Sequence, residues 1–257
     1  MKIIYCIHSV YNPGGMERVL LNKVRYFAAH TDWDVSIVTT DQKGRKPFYP
    51  FPETVSFVDL GINYSDDDGK NPLIKTLGYL RRRRAHRKLL SKYLMSQNAD
   101  IVVSLYPGES SFLPSIKDGS RKILELHQNR FFHLQYNRKG LLGFSDRFRS
   151  WTDTFMVKKF DRFVVLTEED KAYWGKLKNM EAIPNAARMV NGHISDVSVK
   201  RVIAVGRLDY QKGFDRLEGA WSLGMKDPDC RDWKLDIFGK GEWRELLEQK
   251  ISALDLD

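Results

Sequence analysis

The chain has 257 residues, which is enough for one large domain or two moderate ones with a sizeable core. Apolar residues make up 42% and aromatic residues 12% of it, as in soluble globular proteins, and no apolar run approaches the roughly 18 residues of a membrane-spanning helix. The net charge of +9 indicates an anionic partner, although charge alone does not distinguish nucleic acid, anionic lipid and phosphorylated small molecules.

The cysteines and the N-terminus favour a cytoplasmic location. Cys6 and Cys230 lie far apart in the sequence, and Cys6 falls within a run predicted to be a buried strand, so neither a disulfide framework nor a cysteine metal site is expected. The first residues carry one cation and an apolar run that is too short for a signal peptide. We therefore expect the chain in a reducing compartment.

Strands and helices alternate along most of the chain. Apolar, β-branched runs predict strands at residues 1–7, 33–40, 55–60, 99–105, 121–127 and 163–167. Amphipathic patterns predict helices at residues 16–28, 72–97, 148–160 and 168–177. An acidic, polar segment at residues 63–71 predicts a mobile loop. The alternation predicts an α/β fold with a doubly wound parallel sheet, which binds ligands beyond the carboxyl ends of its strands.

Two glycines, Gly14 and Gly15, separate the first predicted strand from the first helix. Glu17 falls in the first turn of that helix, where a carboxylate suits the positive helix end. Such a loop presents backbone N–H groups to an anion or to a closely approaching substrate. The glycines do not form the G-x-G-x-x-G pattern of dinucleotide binding, so a structural turn and a ligand loop both remain open.

The long helix predicted at residues 72–97 is strongly basic. One interpretation is a docking surface for anionic lipid, and the other is a solvated helix face. Nucleic-acid binding ranks below both because no aromatic residues are interleaved for base stacking and no recognition motif accompanies the run. The six cations of this run are Arg81, Arg82, Arg83, Arg84, Arg87 and Lys88.

His127 ends the fifth predicted strand. A ring at that position would face the ligand crevice of this fold type and could orient or polarise a hydroxyl near neutral pH. The alternatives are an ordinary core or surface histidine, and a role for the nearby His133 instead.

A short strand broken by Pro184 and a following polar segment predict a domain boundary, with one domain at residues 1–190 and another at 191–257. The second domain begins with a strand at residues 202–205 that is predicted to be buried, followed by a turn with Arg207 and Lys212 between glycines. Arginine can bind two phosphate oxygens and lysine acts as a point charge, so the turn suits a diphosphate. A surface turn with two solvated cations is the alternative.

The rest of the second domain repeats the strand-and-helix pattern. A helix is predicted at residues 213–223, a strand at 233–238, a loop with Gly239 and Gly241, and a helix at 242–254. Two strands and two helices are few elements for an independent hydrophobic core. A pair of strands also leaves unpaired backbone groups at both of its edges, which other elements normally cover. The second domain is therefore expected to be incomplete.

Five segments, taken in order, resemble glycosyltransferase family 4 in the two-domain GT-B fold of two Rossmann-like domains. They are residues 14–18, the strand that ends at His127, and residues 183–185, 205–213 and 237–242. The resemblance implies transfer of a sugar from a nucleotide sugar, such as a UDP- or GDP-sugar, to an acceptor hydroxyl on a glycan or lipid-linked acceptor. It also implies retention at the anomeric carbon, no essential metal, and a role in bacterial surface polysaccharide or glycolipid synthesis.

The resemblance assigns roles to individual residues. It implies that Arg207 and Lys212 neutralise the donor diphosphate and that His127 lies near the reacting sugar. The residues that it places around the donor and acceptor cleft are Gly14, Gly15, Asn185, Gly239 and Gly241.

The sequence departs from the family in one respect. Members carry two glutamates eight positions apart that hold the donor, and no two glutamates of this chain have that spacing. We therefore expect a truncated second domain. A non-catalytic binding module of the same fold is the alternative to an active transferase.

Overall fold

The computed structural model describes residues 1–67, 71–105, 108–134, 140–186, 195–196 and 198–256. The chain forms two compact units, Met1–Arg188 and Met189–Asp257. The boundary predicted between residues 190 and 191 lies outside the described residues.

The first unit is built on a seven-stranded parallel sheet with the order β3-β2-β1-β4-β5-β6-β7. Strand β1 pairs on both sides, with Ile3 opposite Val35 of β2 and opposite Ile101 of β4. The predicted parallel, doubly wound α/β sheet is therefore confirmed, and its topological switch point lies between β1 and β4. The strands are β1 (Lys2–Ile7), β2 (Asp34–Thr39), β3 (Ser56–Asp59), β4 (Ile101–Ser104), β5 (Arg121–Glu125), β6 (Arg162–Val165) and β7 (Met180–Ala182).

Helices cover both faces of this sheet. They are α1 (Gly15–His30), α2 (Pro72–Gln97), α3 (Gly140–Val157) and α4 (Glu168–Trp174). Side chains alternate along a strand, so β1 contributes to two cores. Tyr5 packs with Leu20 of α1 on one face, whereas Cys6 belongs with Leu90 of α2 and Val157 of α3 to the core on the other. In the described part of the chain, no helix has the length and hydropathy to cross a membrane.

The acidic segment after β3 is not a mobile loop where the structure describes it. Tyr64–Asp67 is a 3-10 helix, and Asp67 is buried. The carboxylate of Asp41, just beyond β2, accepts hydrogen bonds from the Tyr64 backbone N–H at 2.9 Å and the Ser65 hydroxyl at 2.7 Å. The expectation was wrong for these residues because long-range partners order them, while residues 68–70 lie outside the described part.

The second unit contains a two-stranded parallel sheet of β8 (Arg201–Val205) and β9 (Lys234–Phe238), with α5 (Phe214–Gly224) and α6 (Arg244–Ala253). Its core is centred on Leu208, Phe214 and Leu247. The prediction that β8 is buried was wrong, because Ile203 is 61% and Val205 76% exposed. Ala204, on the opposite face, packs on the core. One face of the sheet is therefore covered and the other open.

Candidate functional site

The carboxyl edge of the seven-stranded sheet gathers titratable side chains. Because all seven strands are parallel, the segments that follow them emerge at one edge. This edge includes the switch point between β1 and β4, where open α/β sheets form a ligand crevice. The residues there are His8 beyond β1, Asp41 beyond β2, Glu109 beyond β4, His127 beyond β5 and Asn185 beyond β7.

His127 lies two residues beyond the end of β5, and its side chain is only 5% exposed. Its Nε2 lies 3.4 Å from Oε2 of Glu125, and Lys23 of α1 places Nζ 2.5 Å from the same oxygen. Burial favours protonation of Glu125, but the His127 ring and the Lys23 ammonium outweigh it and hold the Glu125 pKa below its ordinary value. Glu125 is thus an ionised carboxylate between a lysine and a histidine, and sequence reasoning did not identify it.

His133, the other histidine considered from the sequence, is bound to α3. Its Nε2 lies 3.0 Å from Oδ2 of the buried Asp153. The histidine is therefore part of the contact between α3 and the segment that follows β5.

The two glycines before α1 differ in their surroundings. Gly14 is the N-cap residue, and a Cβ there would clash with the carboxylate of Glu17. Burial raises the pKa of Glu17 above its ordinary value. A Cβ on Gly15, by contrast, would meet no described atom within 4 Å. Gly14 thus permits the close approach of Glu17, while Gly15 lies beside open space at the helix N-terminus.

A cavity of about 330 Å³ opens at the carboxyl edge beside β1 and β2. The Ser104 hydroxyl donates a 2.6 Å hydrogen bond to Glu109, and burial raises the pKa of that carboxyl group. The Tyr64 hydroxyl lies 3.1 Å from Nδ1 of His86, whose pKa burial lowers to about 4. The lining thus combines aromatic rings with side chains that can donate or accept hydrogen bonds. The lining residues include His8, Thr40, Tyr64, Tyr79 and Glu109.

Sequence reasoning missed this cavity, although part of its lining carries a recognisable signal. His8 and Thr40 directly follow their strands, and Glu109 comes five residues after Ser104, the last residue of β4. Polar residues just beyond predicted parallel strands would have identified these positions. Tyr64 and Tyr79 carry no such signal because neither follows a strand directly.

In the second unit, two glycine-containing loops lie against each other at the carboxyl edge of β8 and β9. The Leu208 N–H donates to Lys240 O at 3.0 Å, and the Trp243 N–H donates to Leu208 O at 3.0 Å. A Cβ on Gly239 would clash with Gly206 O, and one on Gly241 with Leu208 O. The glycines are therefore required by the contact between the loops.

Arg207 and Lys212 share the loop between β8 and α5. Arg207 is exposed, and its Nη2 lies 3.2 Å from both Asp209 Oδ2 and Gln211 Oε1. Asp209 also caps the 3-10 helix Tyr210–Lys212 by accepting from the Lys212 N–H at 3.3 Å. The loop thus presents two exposed cations and orients one of them through its own side chains.

The predicted site residues therefore divide between the units. Arg207, Lys212, Gly239 and Gly241 occupy adjacent loops of the second unit, whereas Gly14, Gly15, His127 and the exposed Asn185 lie at the sheet edge of the first.

The basic run of α2 was expected to be an exposed stripe, but Arg82 and Arg83 are only half-exposed. Arg82 forms an ion pair with the buried Asp67, and Arg83 donates to the Ser111 hydroxyl at 3.1 Å. These two contacts turn part of the run inward. The cations of the run that remain exposed are Arg81, Arg84, Arg87 and Lys88.

Similar sequences are bacterial glycosyltransferases. An "Uncharacterized glycosyltransferase" of Haemophilus influenzae is 28% identical over 261 residues, with 100% of this chain and 67% of the relative covered. The amylovoran biosynthesis glycosyltransferase AmsD of Erwinia amylovora is 26% identical over 274 residues, again with 100% of this chain and 67% of the relative covered.

Solved structures with the same fold are GT-B glycosyltransferases. A variant of TarM from S. aureus, crystallised with UDP, superposes with a TM-score of 0.71 at 15% identity, covering 100% of this chain and 76% of TarM. Sucrose-phosphate synthase from Thermosynechococcus elongatus gives a TM-score of 0.71 at 15% identity, covering 99% of this chain and 68% of the synthase. Relative to these structures, the second GT-B domain is incomplete.

The family assignment rests on the first unit. The model of the family described as Glycosyltransferase Family 4 matches residues 13–187. This range includes the glycines at the start of α1, His127 beyond β5 and Asn185 beyond β7. Together with the parallel sheet and the paired glycine loops, this match shows that the chain belongs to glycosyltransferase family 4.

Proposed function

We propose that the chain transfers a sugar from a nucleotide sugar to an acceptor hydroxyl, in bacterial surface polysaccharide or glycolipid synthesis. The names of its relatives support this role, since AmsD acts in amylovoran biosynthesis and a structural neighbour is the lipopolysaccharide outer core galactosyltransferase WaaB. The observation that carries the proposal is the pair of exposed cations, Arg207 and Lys212, on a loop held against a second glycine loop.

Arg207 and Lys212 would act on the leaving group. When the glycosidic bond to the donor breaks, negative charge grows on the diphosphate, and fixed cations stabilise this developing charge more than the ground state. The proposed reaction needs no tightly bound metal because the two side chains supply the positive charge. Transfer with retention at the anomeric carbon is part of the same proposal.

The cavity lined by Tyr64, Tyr79 and Glu109 would receive the acceptor. Aromatic rings pack against sugar faces, while His8, Thr40 and Glu109 offer hydrogen-bonding groups to hydroxyls. His127 would lie near the reacting sugar, with the Glu125 carboxylate 3.4 Å from its Nε2. Positioning of this kind lowers the entropic part of the barrier.

Calorimetric titration with UDP and GDP tests the proposal. Arg207→Ala should weaken binding of the nucleoside diphosphate about ten-fold or more, because a charge-assisted contact is lost. The matched control is Arg231→Ala, an exposed arginine that precedes β9 at the opposite edge of the same sheet. Equal affinity of the parent and Arg207→Ala would contradict the phosphate role.

A binding module without turnover is a second candidate. Residues 1–257 contain no two glutamates with the family's spacing to hold the rest of the donor. Incubation with labelled UDP- and GDP-sugars separates the two functions. Nucleoside diphosphate binding without transfer or hydrolysis would support the module, whereas release of labelled sugar would support the enzyme.

We also propose that α2 associates with the cytoplasmic face of an anionic membrane. This helix of 26 residues contains no acidic residue, so its exposed cations, among them Arg81 and Arg84, are not neutralised within the helix. Each cation near an anionic surface contributes about 1 kcal/mol at low salt. Equal vesicle binding by the parent and by Arg81→Ser/Arg84→Ser at low salt would contradict the role of α2.

A further inference from the structure

The outer face of α3 has an unusual composition. On the part of the helix whose side chains the structure describes, every exposed side chain is aromatic or cationic. The four aromatic residues follow a spacing of four, three and four, which places them on one stripe of the helix. The exposed residues are Phe144, Arg147, Phe148, Arg149, Trp151 and Phe155.

The acidic residues of α3 point inward. Asp146 and Asp153 are both buried, and Asp153 lies 3.0 Å from His133. The guanidinium of Arg130 donates to the Ser150 hydroxyl at 2.6 Å and to the Thr154 hydroxyl at 3.0 Å. These contacts fix the rotation of the helix, so that the aromatic stripe faces away from the body of the first unit.

We propose that the outer face of α3 is a contact surface for an anionic lipid bilayer. Tryptophan and phenylalanine partition into the headgroup region, where an amphipathic helix lies in the plane of the membrane. Trp151 contacts Phe155 at 4.8 Å and Phe148 at 5.9 Å between ring centroids, which makes the stripe continuous. The flanking Arg147 and Arg149 would meet lipid phosphates.

Charge complementarity selects the bilayer as the occupant. The exposed charges on α3 are all positive, and α2, which packs on the same face of the sheet, contains no acidic residue. A surface of one sign repels a second copy of itself, whereas an anionic bilayer offers both negative headgroups and an apolar interior.

The position of α3 connects this surface with the proposed reaction. Arg130 and His133 belong to the segment that follows His127, and both are bonded to α3. A bilayer beneath α3 would therefore hold this segment close to the membrane surface, where a lipid-linked acceptor is located. This connection rests on the proposed function, whereas the membrane contact itself does not.

Co-sedimentation of the full chain with vesicles tests the contact. The parent should bind phosphatidylcholine vesicles that contain phosphatidylglycerol, and Phe148→Ser/Trp151→Ser should bind them about ten-fold or more weakly. The control is Tyr26→Ser/Phe48→Ser, which removes aromatic rings of similar exposure, 59% and 55% against 54% and 57%, away from α3. The control should bind as the parent does.

A second variant tests the cations. Arg147→Ser/Arg149→Ser should weaken binding about five-fold for each cation at low salt, and much less at high salt. Vesicles of phosphatidylcholine alone should not distinguish this variant from the parent. An equal loss of binding to vesicles with and without phosphatidylglycerol would contradict the role of the anionic headgroups.

Other outcomes would overturn the proposal. They are a parent chain that does not sediment with vesicles, an aromatic variant that binds like the parent, and a control that loses as much binding as the variant. A change in the mass of the aromatic variant at sedimentation equilibrium, with vesicle binding intact, would assign the face to a second copy instead. Because no sugar donor is present, none of these results depends on transfer activity.

Discussion

Glu125 and His127 form a pair at the carboxyl end of β5, with Oε2 of the glutamate 3.4 Å from Nε2 of the histidine. Lys23 approaches the same oxygen from α1, so one carboxylate joins a helix to the segment that carries the candidate catalytic residue. The pair therefore links the stability of the first unit to the geometry at the sheet edge.

Glu125→Gln should make the first unit less stable at neutral pH and should flatten its acid dependence. The folded-state pKa of Glu125 is lowered, so its stabilisation is present above the ordinary carboxyl pKa and is lost as pH falls through the folded value. The loss at neutral pH should be on the order of 1 to 3 kcal/mol, since the half-buried ammonium of Lys23 loses its ionised partner.

Urea unfolding of the parent and of Glu125→Gln, followed from neutral to acidic pH, measures this effect. Asp66→Asn is the control, because it breaks an exposed ion pair with Lys43 and should change stability much less. Parallel pH curves for the parent and Glu125→Gln would show that the carboxylate is not ionised in the way that the geometry requires.

Acidification should destabilise the first unit through His86. The ring is buried, and burial lowers its pKa in the folded chain to about 4. In the unfolded chain the same ring binds a proton near pH 6.5, whereas in the folded chain it stays neutral until the pH is much lower. Stability should therefore fall by on the order of 2 to 3 kcal/mol as pH decreases from about 6.5 to about 4.

The difference in unfolding free energy between the parent and His86→Gln, measured at each pH, separates the effect of His86 from that of other titrating groups. Glu109 works in the opposite direction, because a raised folded-state pKa favours the folded chain as pH falls. Denaturant midpoints across this pH range should depend less on pH in His86→Gln. An unchanged slope would mean that His86 is protonated in the folded chain.

Gly241→Ala should destabilise the second unit by about 1 to 3 kcal/mol, because its Cβ clashes with Leu208 O where the two loops meet. Gly224→Ala is the matched control, since that glycine ends α5 and a Cβ there has open space. The control should be neutral or slightly stabilising. Thermal unfolding compares the two variants, and equal melting temperatures would contradict the contact.

Arg82 and Arg81 should respond differently to truncation although they are neighbours. Arg82→Ala removes the ion pair between Arg82 and the buried Asp67 and should cost on the order of 1 to 3 kcal/mol of unfolding free energy. Arg81→Ala removes an exposed side chain and should leave stability close to that of the parent. Urea titration of both variants measures the difference. Similar unfolding midpoints for the two variants would mean that the Arg82 ion pair does not stabilise the first unit.

Local signals determined several elements. The helix expected at residues 72–97 is α2, which begins at Pro72 and ends at Gln97. Asn98, just beyond its end, has a left-handed φ of 47°, as is common for a residue that terminates a helix.

The cap on α4 was equally local, because Thr167 accepts from the Asp170 N–H within the same turn. The strand-and-helix alternation predicted the parallel sheet, since each crossover leaves its own periodic pattern in the chain.

Only part of the candidate site could be predicted from local sequence signals. The glycine loops and the pair of Arg207 and Lys212 are contiguous in sequence, so their residues could be named. The Glu125–Lys23 pair spans 102 positions, and the cavity combines residues that follow different strands. The periodicity of apolar residues along the chain does not indicate such contacts, because they depend on the order of the strands in the sheet.

The α/β alternation, the long basic helix and the two-cation turn were predictable from local sequence, because residues near one another in the chain specify each of them. Other properties became visible only in the folded chain. Arg82 forms an ion pair while Arg81 is exposed, residues 64–67 are ordered, one face of β8 is open, and the aromatic stripe of α3 faces outward. These properties depend on which surface a side chain meets after distant segments pack, and burial is a property of the packed chain.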